Sequence, residues 1–296
     1  MNATITRGAR LTALAYVLVG GSFTANSVLG HYPYAGGQFV RYGLACALLV
    51  PFAGPGAAER LRGLGARAWL RLALLAAVGM VGFNLAILAA ERTAEPAVPG
   101  VFVGCAPVVV AVLVPLLDGR RPQGGVFYGA LLVAVGAFAV QGWGRTDPGG
   151  IAFSVCALAG EVGFAVLAGP VLRALGPRLL TATVCALAAA EAAVAGVALD
   201  GGAWLRRPDA VETAALLWQA GVVTVVGFVC WYMGVQRIGT ERATLFTGLV
   251  PLTAVGTAPL VGTGSYGLAQ AAGGALVGAG VAVGSGALRG LGRKRR

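Results

Sequence analysis

Three ionisable side chains stand inside long apolar stretches of this 296-residue chain, and their types could do chemistry. Glu161 lies in "VCALAGEVGFAVL", Glu191 in "CALAAAEAAVAG" and Arg41 in "FVRYGLACALL". A charge in such surroundings costs several kcal/mol unless it is paired, hydrated or neutralised. Glu161 has Gly160 before it and Gly163 just after, so little bulk surrounds it and a cavity can form. A carboxyl there is a candidate proton carrier, or a seat for an ammonium group. Glu191 sits among alanines with no polar neighbour on its face. It reads as the partner of an arginine from elsewhere, a donor to a backbone carbonyl, or a second functional carboxylate. Arg41 falls roughly 8 Å inside its block, close enough to an end to snorkel outward along its own stem.

Uncharged polar groups form a second tier. Ser22, Asn26, Gln38, Asn84 and Gln219 all fall within apolar blocks. Amides there either bind a zwitterionic ligand or hydrogen-bond between helices. Trp231 and Tyr232 read first as an interfacial aromatic belt and second as the wall of a binding site. Other chemistries lack their residues. The one histidine, His31, sits in the polar segment "GHYPYAGG", the acids do not cluster, and there is no GxxxxGK[ST] loop. The five cysteines each lie in an apolar block without a CxxC pair, which reads as packing rather than disulfide or metal. No metal and no cofactor is called for.

The elements that must position these residues are apolar blocks. The chain is 57% apolar and 11% charged, against about 25% charged for a soluble domain. Its mean hydropathy is +0.81. Ten blocks stand out, at 11–29, 36–53, 70–89, 96–117, 124–143, 149–169, 179–199, 213–234, 243–262 and 267–286. Each is long enough to cross about 30 Å of hydrocarbon as a helix. The expected fold class is all-α integral membrane. The first block, with Arg7 and Arg10 before it, runs past the length of a signal peptide and reads as an uncleaved helix.

The net charge of +11 does not indicate nucleic acid, because the arginines collect in the segments between blocks. With the N-terminus inside, seventeen Lys/Arg fall on the inner side and only Arg92, Arg145, Arg206 and Arg207 on the outer. That asymmetry predicts cytoplasmic termini. The basic tail "RKRR" is expected to touch anionic membrane lipid.

The blocks repeat. At a shift of 144, Pro107 meets Pro251, Pro115 meets Pro259, Gly136 meets Gly280 and Gly142 meets Gly286. At 145, Gly82-Phe83 meets Gly227-Phe228 and Arg92 meets Arg237. The chain thus divides into 1–145 and 146–296, two units of five blocks each. Five is odd, so the second unit enters the membrane upside down. The paired prolines predict helices bent at matching depths, a common way to build a midplane site that opens to each side in turn. GxxxG spacings at Gly274/Gly278 and Gly280/Gly284 predict close packing within one molecule.

The order of these segments resembles the EamA-like family of the drug/metabolite transporter superfamily. The likeness is carried by "LVGGSFTANSVL", "FVRYGLACALL", "AAERTAEPAVPGVFVGCAPVVVAVLVPLL" and, in a second copy, "GVQRIGTERATLFTGLVPLTAV". It implies a bacterial inner-membrane carrier of a small-molecule substrate, often exporting amino acids or related compounds. It also implies a structural pairing role for Arg41, which matches an arginine recurrent in the family's second helix. Members commonly carry Gly-Glu after the fourth and ninth blocks, where this chain has Gly119-Arg120 and Gly262-Thr263. The expected function is a secondary transporter working by alternating access, with the coupling ion, proton or sodium, left open. An intramembrane enzyme acting on a lipid or isoprenoid, or a membrane scaffold, is the alternative.

Overall fold

The computed structural model describes residues 3–29, 31–95, 97–142, 144–257 and 267–285, and every regular element among them is helical. Helix α1 is Ala3–Val28 and α2 is Tyr34–Leu49, extended by a 3-10 turn to Phe52. A short helix, α3 (Ala57–Arg62), precedes α4 (Ala66–Ala90). Next come α5 (Ala97–Gly104), α6 (Ala106–Leu117) and α7 (Gly124–Gln141). Helices α8 (148–175) and α9 (177–200) join at Gly176, whose φ of 72° and ψ of 168° are not helical. The chain ends with α10 (Ala210–Ile238), α11 (Thr240–Thr244), α12 (Leu249–Thr257) and α13 (Leu268–Gly284).

Among the described residues, five helical stretches are long and apolar enough to cross a membrane: Ala66–Ala90, Val98–Leu117, Gly124–Gln141, Pro148–Ala203 and Ala210–Ile238. The protein is multi-pass and membrane-embedded. Blocks 36–53 and 267–286 hold regular α-helices of only 16 and 17 residues, about 25 Å at 1.5 Å per residue. Large apolar side chains such as Val194, Leu199 and Tyr128 face outward, while the interior is built mainly from Ala, Val, Leu and Gly. Ends are fixed by capping. Asp147 Oδ1 accepts from Gly150 N at 2.7 Å with Pro148 in the first turn of α8, and Asp209 with Glu212 forms a capping box on α10. The Gly150 amide holds the Asp147 carboxyl below its ordinary range.

The helices that line the interior are irregular in paired places. π-helix runs through Ala77–Gly82 in α4 and Trp218–Gly227 in α10, each closing on a Gly-Phe step related by the shift of 145. The apolar stretch before Leu117 breaks at Cys105, between α5 and α6, and a 3-10 turn at Leu245–Gly248 separates α11 from α12. Pro107 and Pro251 lie three residues beyond Gly104 and Gly248. A proline donates no N–H and its ring crowds the carbonyl four residues back, so regular winding gives way just before it. Pro115 lies inside α6 and is buried. Pro259 lies outside the described residues, as does the side chain of Asn26.

Helices α7 and α13 pack backbone to backbone along a glycine seam. A Cβ added at Gly129 would fall 2.6 Å from the Gly280 carbonyl oxygen and 2.6 Å from Gly284 N. One added at Gly273 would fall 2.7 Å from the Gly136 oxygen and 2.9 Å from Val140 N. Gly136 and Gly280 meet Val277 N and Val133 N in the same manner, at 2.8 and 2.9 Å. The seam therefore runs through Gly273, Gly280 and Gly284. Of the GxxxG positions, Gly278 has nothing within 4 Å and Gly274 meets only the Leu252 side chain.

Candidate functional site

Arg41 organises one end of the interior. It does not snorkel: its Nε donates to Thr224 Oγ1 at 2.8 Å, across to α10, and its guanidinium lies 5.3 Å from the Tyr42 ring centre. Thr224 is fully buried, and its hydroxyl donates to the Gln219 carbonyl, five residues back, at 2.8 Å. The π winding thus aims Thr224 at Arg41. The same device works in α4, where Asn84 Nδ2 donates to Met80 O at 2.7 Å and reaches Tyr42 Oη at 3.3 Å. Gln219 is buried, with its Nε2 3.4 Å from the Ser22 carbonyl. Arg41 has no carboxylate partner among the described residues.

A second cluster lies seven residues further along α10, roughly 10 Å at helical rise. Trp231 and Tyr232 are 4% and 0% exposed, so they form an interior wall and not a belt. The belt reading fails because α10 runs on to Ile238, which leaves this pair well short of the helix end. Trp231 Nε1 donates to Tyr16 Oη at 3.1 Å. Phe164 packs with its ring centre 5.0 Å from Trp231 and 5.9 Å from Tyr232. It can do so because Gly79, in the π segment of α4, lets α8 come close: a Cβ there would sit 2.8 Å from Phe164 Cβ.

Glu161 lies one turn before Phe164 on the same helix. It is half-buried. No hydrogen bond or ion pair reaches it among the described residues, and it lies close enough to the Tyr16 hydroxyl, itself beside Thr247, to act on it electrostatically. Glu191, on α9, is half-buried and its Oε2 has no hydrogen-bond partner among the described residues. Among the described residues no arginine pairs with Glu191, and no hydrogen bond joins it to either cluster.

Sequence reasoning passed over Tyr16, Tyr42, Phe164 and Thr224. Only a hydroxyl or an aromatic ring in an apolar block marked them, and such residues are common in packing.

Ion pairs tie the helix ends. Arg120, at the position where the family commonly has glutamate, bridges Asp118 at 2.8 Å and Glu241 at 2.7 Å, joining the end of α6 to α11. Arg145 Nε meets Glu95 Oε1 at 2.8 Å. That hydrogen bond holds the Glu95 carboxyl below its ordinary range. Arg206 clasps Glu212 and stacks on the Tyr32 ring.

Comparison with known proteins gives the fold and a family resemblance for the first part of the chain. The chain matches a protein of known crystal structure over 97% of its own length and 99% of the other's, with a TM-score of 0.81 at 19% identity. At that identity the likeness concerns the fold alone. None of the curated proteins matches the chain. The family model of the EamA-like transporter family matches residues 6–141. Members of that family are membrane transporters, and residues 6–141, a little under half of the chain, are similar to them.

Proposed function

We propose that the chain is a secondary transporter that moves a small, amino-acid-like or related amphipathic metabolite by alternating access. In this reading it is an exporter of the bacterial cytoplasmic membrane, with both termini cytoplasmic and flux coupled to protons. Two inverted five-helix repeats, 1–145 and 146–296, would enclose the site. Support for the inversion comes from the glycine seam. The contacts run antiparallel, Gly129 against Gly280 and Gly136 against Gly273, and a shift of 144 exchanges one contact for the other. Such a self-exchanging contact marks a twofold axis across the two helices, which for membrane helices lies in the bilayer plane.

One observation carries the transport reading: among the described residues neither Arg41, held only by Thr224, nor Glu161 has an ion-pair partner. Buried charges without protein partners are costly, and a ligand or a proton that supplies the partner accounts for keeping them. Glu161 is assigned the coupling proton and Arg41 the anionic end of the substrate. Asn84, Asn26, Gln219, Trp231 and Tyr232 are assigned to the lining, and Glu191 is held as a second carboxylate. Pro107, Pro115, Pro251 and Pro259 are assigned as the kink positions that would let each half move. The fold thus favours a carrier over an intramembrane enzyme, whose reaction needs clustered catalytic groups.

The test is flux of candidate metabolites in reconstituted vesicles with an imposed pH gradient, wild type against Glu161→Gln. Gradient-driven flux that collapses in the variant, with unchanged thermal unfolding, is expected. Undiminished flux removes Glu161 as the coupling group, and absence of flux in the wild type for every metabolite tried overturns the transporter reading.

A further inference from the structure

A cleft of about 360 Å³ opens at the end of the bundle where α8 ends, α9 begins and α10 ends. Its wall holds three arginines, Arg60, Arg178 and Arg237, together with Gln236. None of the three forms an ion pair among the described residues, and no acidic side chain lines the cleft. The negative ends of the two finishing helices are already covered. Arg60 Nη1 donates to the Leu175 carbonyl at 3.1 Å and Arg237 Nη1 to the Met233 carbonyl at 2.6 Å. What faces the cleft beyond these is the first turn of α9, Pro177 to Leu179, with the partial positive charge of a helix N-terminus. Charge and dipole therefore have one sign.

Beside the cleft the chain is apolar and outward-facing. Phe52, which lines it, is 63% exposed, and neighbouring Val50 is 59% exposed. A basic recess bordered by exposed hydrocarbon-facing side chains matches a molecule with an anionic head and an acyl body. Arg60 also gives its Nη2 to the Ala53 carbonyl at 2.9 Å, so it and Arg237 supply mainly charge, and the fork open to pair with phosphate oxygens, which an ammonium cannot do, is that of Arg178. The volume falls in the ordinary range for a small-ligand site.

We infer that this cleft binds a phosphate group, and that its source is the phosphodiester headgroup of an anionic lipid whose chains lie along Val50 and Phe52. The site is separate from the Arg41 and Glu161 clusters and does not depend on what is transported. Bound there, one headgroup bridges the helix ends on both sides of Gly176.

The experiment is thermal unfolding of the full chain in neutral detergent, titrated with phosphatidylglycerol, phosphatidylcholine or inorganic phosphate at constant ionic strength. Three variants accompany the wild type: Arg178→Gln, the Arg60→Gln/Arg178→Gln pair, and Arg67→Gln/Arg71→Gln as a control for general surface charge. Phosphatidylglycerol is expected to stabilise the wild type and the control, with phosphatidylcholine inert. Its apparent affinity should fall about five-fold in Arg178→Gln and about 25-fold in the double variant. Arg178 makes no side-chain bond among the described residues, so its single variant reports on binding even if the double variant folds poorly. Equal, arginine-dependent stabilisation by inorganic phosphate would keep the phosphate site and reassign its source to a soluble ligand. An unchanged phosphatidylglycerol response in Arg178→Gln and the double variant, or an equal loss in the control pair, overturns the inference.

Discussion

Alanine at Gly129 should separate α7 from α13, and the size of the effect follows from the seam. Its Cβ would lie 2.6 Å from a carbonyl oxygen and an amide nitrogen of the facing backbone. A carbon rests no nearer than about 3.3 Å from such an oxygen, so the helices must part by roughly 0.7 Å. Backbone cannot swing aside as a flexible side chain does, which puts the cost in the range of about 1–3 kcal/mol for overpacking. For a chain of this size that is a fall of roughly 2–8 °C in the unfolding midpoint. Gly273→Ala, at the matching place in the other half, faces 2.7 Å approaches and should fall by a similar amount. Gly278→Ala is the control: its site is open space, and alanine gains up to about 1 kcal/mol of helix propensity there. Combining Gly129→Ala with Gly280→Ala loads one contact twice and should cost less than the sum. The assay is unfolding in detergent followed with a thiol-reactive dye, since the five cysteines are free. If Gly278→Ala loses as much as Gly129→Ala, or if Gly129→Ala and Gly273→Ala shift in opposite directions, the seam is not what holds these helices together.

Three further outcomes are expected. Removing Arg120 should destabilise more than removing Glu241, because Glu241, 10% exposed, loses its partner in the interior, whereas Arg120, 47% exposed, keeps Asp118 and water; unfolding midpoints of Arg120→Gln and Glu241→Gln decide it. Thr224→Val should cost about 1.5–3 kcal/mol, the range for a hydrogen bond to a charged group, because Arg41 Nε loses its acceptor; thermal unfolding measures it and Thr224→Ser should recover most of it. The Glu95–Arg145 link depends on pH with a definite sign. Arg145 lowers the Glu95 value in the folded state, so its stabilisation is full above the unfolded value near 4.3 and disappears as pH falls through the depressed one. Melting curves of wild type and Glu95→Gln should therefore stay apart above about pH 5 and converge in acid.

The helices were legible in the sequence because hydropathy varies over whole spans, and the Gly-Phe correspondence reappears in the structure as the ends of the two π segments. The interior was less so. Arg41 was visible as a charge, but its partner Thr224 lies 183 positions away and nothing local links them. The two π segments leave hydropathy unchanged, since winding alters which way a residue faces and not what it is. That is also why Trp231 and Tyr232 read as interfacial. Glu161 was legible through its small neighbours, and the structure explains them: Gly160 backs onto Phe83 and Gly163 onto Val78, which lets α8 lie against α4. Of the two glycine spacings read in α13, Gly280/Gly284 lies on the seam and Gly274/Gly278 does not, because GxxxG is frequent in a chain with 48 glycines and only the facing helix selects the pair that matters.

Each π segment amounts to a one-residue frame shift held in the backbone. At 3.6 residues per turn, a regular α-helix through the same residues would rotate everything beyond it by about 100°. In α10 that rotation would carry Trp231 and Tyr232 off Tyr16 and Phe164 toward hydrocarbon, and in α4 it would swing Asn84 away from Tyr42. A helix wound this way holds a second angular setting within reach of a few exchanged hydrogen bonds. Its far half could therefore turn like a key, with no span leaving the bilayer.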